Sequence, residues 1–450
     1  MRKIQEPPTY EMINRAPHVF KPNNKPCRTM NFQQTSRKNI SLPKMIKNEN
    51  ILEKQQDTNK SKSMSDMKLP ITPRDVFNFF YNQLTKLEIN QIKNFKNIWY
   101  IGTYESKIKT DKEDDYNDNK RYYRAMPNDE ILFRYQIIST IGQGSFSSVY
   151  KCIDHFKKRL VAVKIIRDSP DCLHFAELES AIQNSINSPY SVKIYNSFYW
   201  RGHLCFSMEL MNNDLFHYIL TSKNYNFHPN IVKGITFQLL LGLKELRQKH
   251  IVHADLKPEN ILTTDNNFTT IKISDYGTAC FEHTPIFSYI QSRFYRAPEI
   301  TLELEYGTPI DIWSLGCIVY ELLMGRPLFP AKNELELFNM MLNILGPVPK
   351  KVYEKSSRYS VLMNKIDEYK APNSKNLTLK ELTSIMPKKI SYFIQRCLTW
   401  DPSDRITPNE ALSLEWFTAE IKNFDVFDKQ RSQSFTPKSA RRSIQSQYGR

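Results

Sequence analysis

Glycine is scarce in this chain, 12 of 450 residues. That excludes collagen-like and Gly-rich low-complexity architectures, and it makes any two neighbouring glycines informative. No stretch reaches the ~18 to 20 apolar residues of a membrane-spanning helix, and residues 1–20 lack the apolar centre of a secretory signal. No membrane association is expected. The seven cysteines, Cys27, Cys152, Cys172, Cys205, Cys280, Cys317 and Cys397, are odd in number, scattered, and never spaced CxxC. A disulfide framework or a structural zinc site is therefore not expected, and a reducing compartment, cytoplasmic or nuclear, fits best. Acidic residues are outnumbered, 47 against 63 Lys and Arg, but the excess is local. Residues 1–65 hold 13 basic against 5 acidic residues, and 424–450 hold 6 against 2. Only +4 of the net +16 is left for the long middle. A nucleic-acid-binding domain carries a basic face of its own, so the globular part shows no such footprint.

Hydrophobic residues make up 40% and aromatics 12%, enough to fill a core. Residues 1–65, rich in Asn, Lys, Gln, Ser and Pro, read as a disordered basic tail, and 418–450 as a second flexible one. Between them lie an accessory segment, 66–134, and a large globular unit, 135–417. Thr72-Pro73-Arg74-Asp75 reads as a helix start, with Thr as cap, Pro first and an acid third. Val76, Phe79, Phe80, Leu84 and Leu87 follow at helical spacing. Thr85-Lys86-Leu87-Glu88 suggests a second start. Ile98–Ile101 reads as a strand and Lys107–Asn119 as a polar loop. From Tyr135 the pattern is a β meander: Tyr135–Ile141, Ser148–Asp154 and Leu160–Ile166. Beyond Glu209 it turns helical, with one stripe at Ile231, Ile235, Leu239, Leu243 and Leu246, and an apolar helix at Asp311–Leu323. The fold class is α+β, with a small β-rich lobe followed by a larger helical one.

Gly142 and Gly144 lie in Ile141-Gly142-Gln143-Gly144-Ser145-Phe146-Ser147, between two strands. Glycines let a backbone approach phosphate closely and offer its oxygens main-chain N–H groups. Alone, the pair reads as an ordinary hairpin, and a strand rather than a helix follows it, which argues against a dinucleotide fold. Val161-Ala162-Val163-Lys164 adds a lysine able to neutralise phosphate. Glu179, fifteen residues on in the helical stretch Cys172–Ile186, is the carboxylate that could hold it. His253-Ala254-Asp255-Leu256-Lys257-Pro258-Glu259-Asn260 is the sharpest signal. Asp255 can orient a hydroxyl or accept its proton. Lys257 can balance phosphate charge, and Asn260 offers a carbonyl oxygen to Mg²⁺. Ile271-Lys272-Ile273-Ser274-Asp275-Tyr276-Gly277 ends a strand with a second metal-ready carboxylate.

In this order the segments resemble the signatures of the protein kinases. Ala297-Pro298-Glu299 closes an activation segment opened at Asp275, and Arg405 resembles the late arginine that pairs with Glu299. Tyr289-Ile290-Gln291-Ser292-Arg293-Phe294-Tyr295-Arg296 and the small Ala254 resemble the dual-specificity tyrosine-regulated (DYRK) family of the CMGC group. Leu69–Gly102 resembles that family's homology box, and the flanking residues resemble the accessory segment of its class II members. The resemblance implies a two-lobed fold that transfers the γ-phosphoryl group of ATP, with Mg²⁺, to Ser or Thr of protein substrates. It implies a preference for a following Pro and an upstream Arg, a monomeric enzyme, and autophosphorylation of Tyr289. ATP would meet Ile141, Gly142, Gly144, Val149, Ala162 and Lys164, with Glu179 holding the lysine. Glu209 and Met211 would meet adenine through their backbone. Asn260 and Asp275 would hold the metal, and Asp255 and Lys257 would be catalytic. Glu259 would read the upstream Arg, and Arg293 and Arg296 would bind phosphorylated Tyr289.

The chain departs from the family pattern at several positions. Ser147 replaces the third glycine of the loop. Phe287 stands where the family has the first tyrosine of Tyr-x-Tyr, Tyr276 replaces Phe beside Asp275, and Met208 fills the gatekeeper position. Tyr276 keeps a ring and adds a hydroxyl, which predicts a local change only. Two other readings stay open: a pseudokinase scaffold, and an active kinase of a neighbouring subgroup such as the homeodomain-interacting kinases.

Overall fold

The computed structural model of the chain describes residues 64–222, 226–282, 289–368 and 377–418. Residues 1–63 and 419–450, nearly all of both basic tails, and the Phe287-Ser288 departure lie outside the described residues.

Two short helices open the fold, α1 (Pro73–Phe80) and α2 (Lys86–Gln91), and both start at reciprocal caps. The Thr72 hydroxyl accepts from the Asp75 N–H while the Asp75 carboxylate accepts from the Thr72 N–H, and Thr85 and Glu88 repeat the pattern. The stripe finds its partner surface: Val76, Phe80, Leu84 and Leu87 are buried, whereas Phe79 turns outward. Ile98–Ile101 is not a strand. The N–H groups of Trp99 and Tyr100 both go to the Phe133 carbonyl, and Ile98 makes only an isolated bridge to Ile71. Phe133 has a left-handed backbone (φ 50°), so no regular ladder can run past it.

A six-stranded antiparallel sheet follows, in the order β1-β2-β3-β4-β6-β5. Its strands are β1 (Glu130–Ile131), β2 (Tyr135–Gln143), β3 (Ser147–Asp154), β4 (Arg159–Ile166), β5 (Ile194–Trp200) and β6 (His203–Met208). Helix α3 (Pro170–Ser185) is inserted between β4 and β5. Ser147 lies within β3, in extended backbone that needs no glycine. The accessory segment supplies the edge strand β1, and its side chains share one core with the sheet: Val76, Phe80, Ile92 and Phe133 pack with Ile137, Cys152, Val161 and Cys205. Each fully buried side chain of this size contributes about 1.5–3 kcal/mol.

The larger lobe is helical: α4 (Leu215–Thr221), α5 (Pro229–Gln248), α6 (Pro298–Thr301), α7 (Pro309–Met324), α8 (Glu334–Leu345), α9 (Lys350–Tyr353), α10 (Tyr359–Glu368), α11 (Leu379–Thr383), α12 (Lys388–Cys397), α13 (Pro408–Leu412) and α14 (Glu415–Thr418). Helix α7 is buried on nearly every face, which matches its almost unbroken apolar sequence. Two ribbons lie against α5: β7 (Ile251–Val252) paired with β10 (Cys280–Phe281), and β8 (Ile261–Thr263) paired with β9 (Ile271–Ile273). The Arg405 guanidinium grips both oxygens of Glu299 at 2.7 and 3.0 Å inside this core. The six described cysteines are buried and none of them is in a disulfide, and no helix of the described residues is long and apolar enough to cross a membrane.

Candidate active site

Strand β4 carries Lys164 on the face opposite its core contacts, directly beside Val149 of β3. Its Nζ lies 2.6 Å from Glu179 Oε1 on α3 and 3.1 Å from Asp275 Oδ1 beyond β9. Burial alone would lower the lysine's pKa, but the two carboxylates outweigh it and hold the ammonium above its usual value. Lys164 in turn pulls the Asp275 carboxyl down to about 2, against the opposing effect of burial. Asp275 has a left-handed backbone (φ 60°), and half its side chain (53%) faces open space.

Ala254, buried and also left-handed (φ 66°), turns the chain between β7 and Asp255. That turn is pinned from below, because Asp311 at the start of α7 accepts the N–H groups of His253 and Ala254 at 2.8 and 3.1 Å. His253 donates from Nε2 to the Ser274 carbonyl and accepts the Asp255 N–H at Nδ1. These bonds fix the loop's backbone and leave the Asp255 carboxylate to face the cleft. Its Oδ2 lies 2.6 Å from Lys257 Nζ, and its Oδ1 accepts from the N–H and hydroxyl of Ser292 at 3.0 and 2.8 Å. Asn260 donates to the Asp255 carbonyl at 2.9 Å, which leaves its own carbonyl oxygen as a hard donor. Ser292 was not singled out as a site residue in the sequence; only the fold carries it 37 positions back to Asp255.

Gly142 pairs with Val149 across the β2–β3 hairpin, so the glycine loop roofs the cleft, with Ile141 exposed beside it. Ala162 pairs with Met208 at the back. The Glu209 carboxylate is held by Lys272 at 2.8 Å and its N–H goes to the Lys193 carbonyl, so its own carbonyl is the group left for a ligand. Glu259 is drawn in beside Lys257, where burial raises its carboxyl despite the lysine's opposing charge, and one of its oxygens has no hydrogen-bond partner. Arg296 stacks over the Tyr289 ring, 3.8 Å from its centroid, and bonds the Ile290 and Gln291 carbonyls at 2.9 Å. Arg293 instead reaches the Lys332 carbonyl at 2.7 Å. Nη1 of Arg296 and Nε of Arg293 are buried without hydrogen bonds.

A β-roofed cleft over a helical lobe, with a paired strand lysine and two loop carboxylates, defines a protein kinase, and residues 135–417 match the family model described as "Protein kinase domain". The chain is 36% identical to dual specificity tyrosine-phosphorylation-regulated kinase 2 of Drosophila melanogaster, over 77% of its own length and 51% of the relative's. It is 34% identical to dual specificity tyrosine-phosphorylation-regulated kinase 4 of Homo sapiens, over 79% and 72% of the two chains. Against serine/threonine-protein kinase ppk5 of Schizosaccharomyces pombe the identity is 37%, over 77% and 44%. The chain thus spans about half the length of two of these relatives. It belongs to the dual-specificity tyrosine-phosphorylation-regulated kinase family of the protein kinases.

Proposed function

We propose that this chain transfers the γ-phosphoryl group of ATP to Ser or Thr of protein substrates and, during its own maturation, to Tyr289. The observation that carries the reading is the Lys164 ammonium held between Glu179 and Asp275 in the cleft that also contains Asp255, Lys257 and Asn260. Gly142 and Gly144 cover the phosphates, Ile141, Val149 and Ala162 sandwich adenine, and the Glu209 carbonyl and Met211 backbone meet its edge. Lys164 holds the α- and β-phosphates. Asp255 orients the substrate hydroxyl and takes its proton as the new P–O bond forms and the bond to ADP breaks. Lys257 steadies the charge on the transferred group. Asp275 and Asn260, an ionised carboxylate and a carbonyl oxygen, fit the hard-oxygen preference of Mg²⁺. When bound, that ion neutralises phosphate charge. The chemistry is thus positioning plus electrostatics.

Three side chains bear on a finer reading. The unpartnered buried oxygen of Glu259 is matched to an arginine upstream of the acceptor, which would supply the missing donor. The Arg296 guanidinium over the Tyr289 ring, whose Nη1 makes no hydrogen bond and only a 3.8 Å ion pair with Glu334, is matched to a phosphate on that tyrosine, which adds about −1.5 to −2 charge and three acceptor oxygens, and Arg293 is assigned to the same phosphate by the family resemblance. A preference for Ser/Thr followed by Pro rests on the family resemblance, and a cytoplasmic or nuclear setting on the absence of disulfides among the described cysteines.

The test is a peptide-library assay on protein made in bacteria. Wild type is expected to label Ser/Thr peptides and to carry phosphotyrosine at Tyr289 by mass spectrometry, and Asp255→Asn to do neither. Glu259→Gln is expected to lose about tenfold or more on Arg-containing peptides, the worth of a charge-assisted bond, and little on peptides without Arg. Equal losses on both would remove Glu259 from substrate reading. A wild type that binds ATP and labels nothing would favour the scaffold.

A further inference from the structure

The accessory segment touches the nucleotide site at one point. Between Asn117 and Tyr123, which bridge to each other, the chain makes a tight turn around Asp118. The Asp118 carboxylate accepts the N–H groups of Lys120 and Tyr122, both at 2.8 Å, and Arg121 takes a left-handed conformation (φ 68°). The turn presents the Tyr122 hydroxyl to the tip of the glycine loop, 2.8 Å from both the Gly144 and the Ser145 carbonyl oxygens. One hydroxyl proton serves the two acceptors. Within the loop the Gly144 N–H donates to the Ser147 carbonyl at 2.9 Å, and on its outer side the tip is open: a Cβ built at Gly144 would meet nothing within 4 Å.

The same turn also grips the start of α3. The Arg121 guanidinium pairs with the Asp168 carboxylate, and the Asp168 N–H donates to the Arg121 carbonyl at 3.0 Å. Asp168 directly precedes Ser169, the cap of α3, the helix that carries Glu179. Its neighbour Arg167 donates its N–H to the Phe146 carbonyl in the glycine loop at 2.8 Å. The accessory turn, the glycine-loop tip and the start of α3 therefore form one closed circuit of hydrogen bonds.

We propose that Tyr122 is a positioning residue for ATP: through its hydroxyl the accessory segment sets the height of the glycine loop over the phosphates, in register with α3. The inference rests on the kinase reading above and adds to it a residue outside the kinase domain. The tie engages the Gly144 and Ser145 carbonyl oxygens, which would repel phosphate if they turned toward it. Losing it frees the tip without removing any group that touches the nucleotide.

The experiment is Tyr122→Phe in the full chain, which keeps the ring and removes the hydroxyl. kcat/KM for ATP is expected to fall about three- to tenfold, the worth of one hydrogen bond between uncharged partners. The KM for peptide and the melting temperature are expected to hold, and amide exchange at residues 142–147 to quicken. A role in folding alone would move the melting temperature and both substrates together, and that outcome, or unchanged ATP kinetics with unchanged exchange, would overturn the proposal. If wild type itself transfers no phosphate, the proposed function fails instead, and exchange at 142–147 in the two proteins still decides whether the tie exists.

Discussion

Two groups of charged side chains in this molecule are built in opposite ways. In the cleft, Lys164 and Glu179 are covered, but Asp275 is half open and the Asp255–Lys257 pair remains 17% and 22% exposed. Where the accessory segment meets the sheet, Glu88, Lys107, Asp129, Glu130 and Arg201 have no exposed side-chain surface at all. Arg201 Nη2 lies 2.6 Å from Glu130, with Glu88 at 3.5 Å, and its Nη1 lies 3.8 Å from Asp129. Lys107 closes on Glu88 at 2.8 Å. The three carboxylates are near enough together to suggest a metal site, but two cations already sit among them. This second group is sealed from solvent and its charges face one another, although Glu88 Oε1, Asp129 Oδ2 and Arg201 Nε lack hydrogen bonds, and so its product is adhesion. The cleft pairs its charges too, but leaves Asp275, Asp255 and Lys257 partly open to solvent, and so it can bind phosphate and metal.

The largest expected effects test the open group. Lys164→Met and Asp275→Asn are each expected to cut transfer by at least about 10²- to 10³-fold, the scale of losing a preorganised charge-stabilising contact, while both proteins stay folded and Asp275→Asn, at the half-open carboxylate, keeps the melting temperature near wild type. Near-normal turnover in either variant would mean the cleft is not the phosphate site. The closed group should respond in reverse. Arg201→Met strands three buried carboxylates with one lysine and is expected to cost about 3–5 kcal/mol by denaturant titration. It should lower activity only through the fraction unfolded. For the same reason deletion of 1–65 should leave activity intact and deletion of 1–130 should not. A stable, active 131–450 chain would show that the buried group is dispensable.

The two groups were not equally legible in the sequence. The cleft residues sit in short runs whose order and spacing carry their chemistry, from Gly142 to Asp275. The capping acids Asp75 and Glu88 also announced themselves, three residues after their Thr. The buried cluster did not, because its members are separated by up to 113 positions, from Glu88 to Arg201, and each alone resembles a solvated surface charge. Lys107 fell in a stretch read as polar loop. Arg201 occupies a two-residue hairpin turn with Gly202, both left-handed (φ 46° and 82°), where any exposed polar residue would suit the sequence. What aims it inward is the stacking of its guanidinium on Tyr116 and Trp200, at 3.8 and 4.7 Å. The strand expected at Ile98–Ile101 failed for a related reason: its buried residues satisfy the core, but their N–H groups converge on one carbonyl.

A pH titration sharpens the comparison with a smaller effect. Three buried carboxylates face two cations, so burial favours retaining a proton: it raises Glu130 to about 8 and Asp129 to about 6, against the pull of Arg201. Both values lie above those of the unfolded chain, so the folded chain holds more protons and this contribution to stability is full near pH 4 and falls as pH rises through about 6 to 8. His155 and His203, lowered by burial, tilt the other way as they shed protons. Comparing wild type with Glu130→Gln across pH 5 to 8 cancels them. The wild type is expected to lose more stability than the variant over that range, and parallel curves would mean that the cluster is fully ionised throughout.

The smallest effect falls at Tyr276, which is next to the open group in sequence and yet belongs with the closed one. Its ring is fully buried and meets His253 edge to face at 5.0 Å, and its hydroxyl lies 2.6 Å from the Ser191 hydroxyl, also buried. The extra oxygen relative to phenylalanine therefore has a partner in the chain and does not reach the cleft. Tyr276→Phe leaves Ser191 unpaired and is expected to cost about 1 kcal/mol, with kcat changed by less than about twofold. Adding Ser191→Ala removes the stranded hydroxyl and should recover most of that loss, as happens when both partners of a buried bond are replaced by apolar groups. A large fall in kcat for Tyr276→Phe, with stability unchanged, would instead place this hydroxyl among the groups that position Asp275.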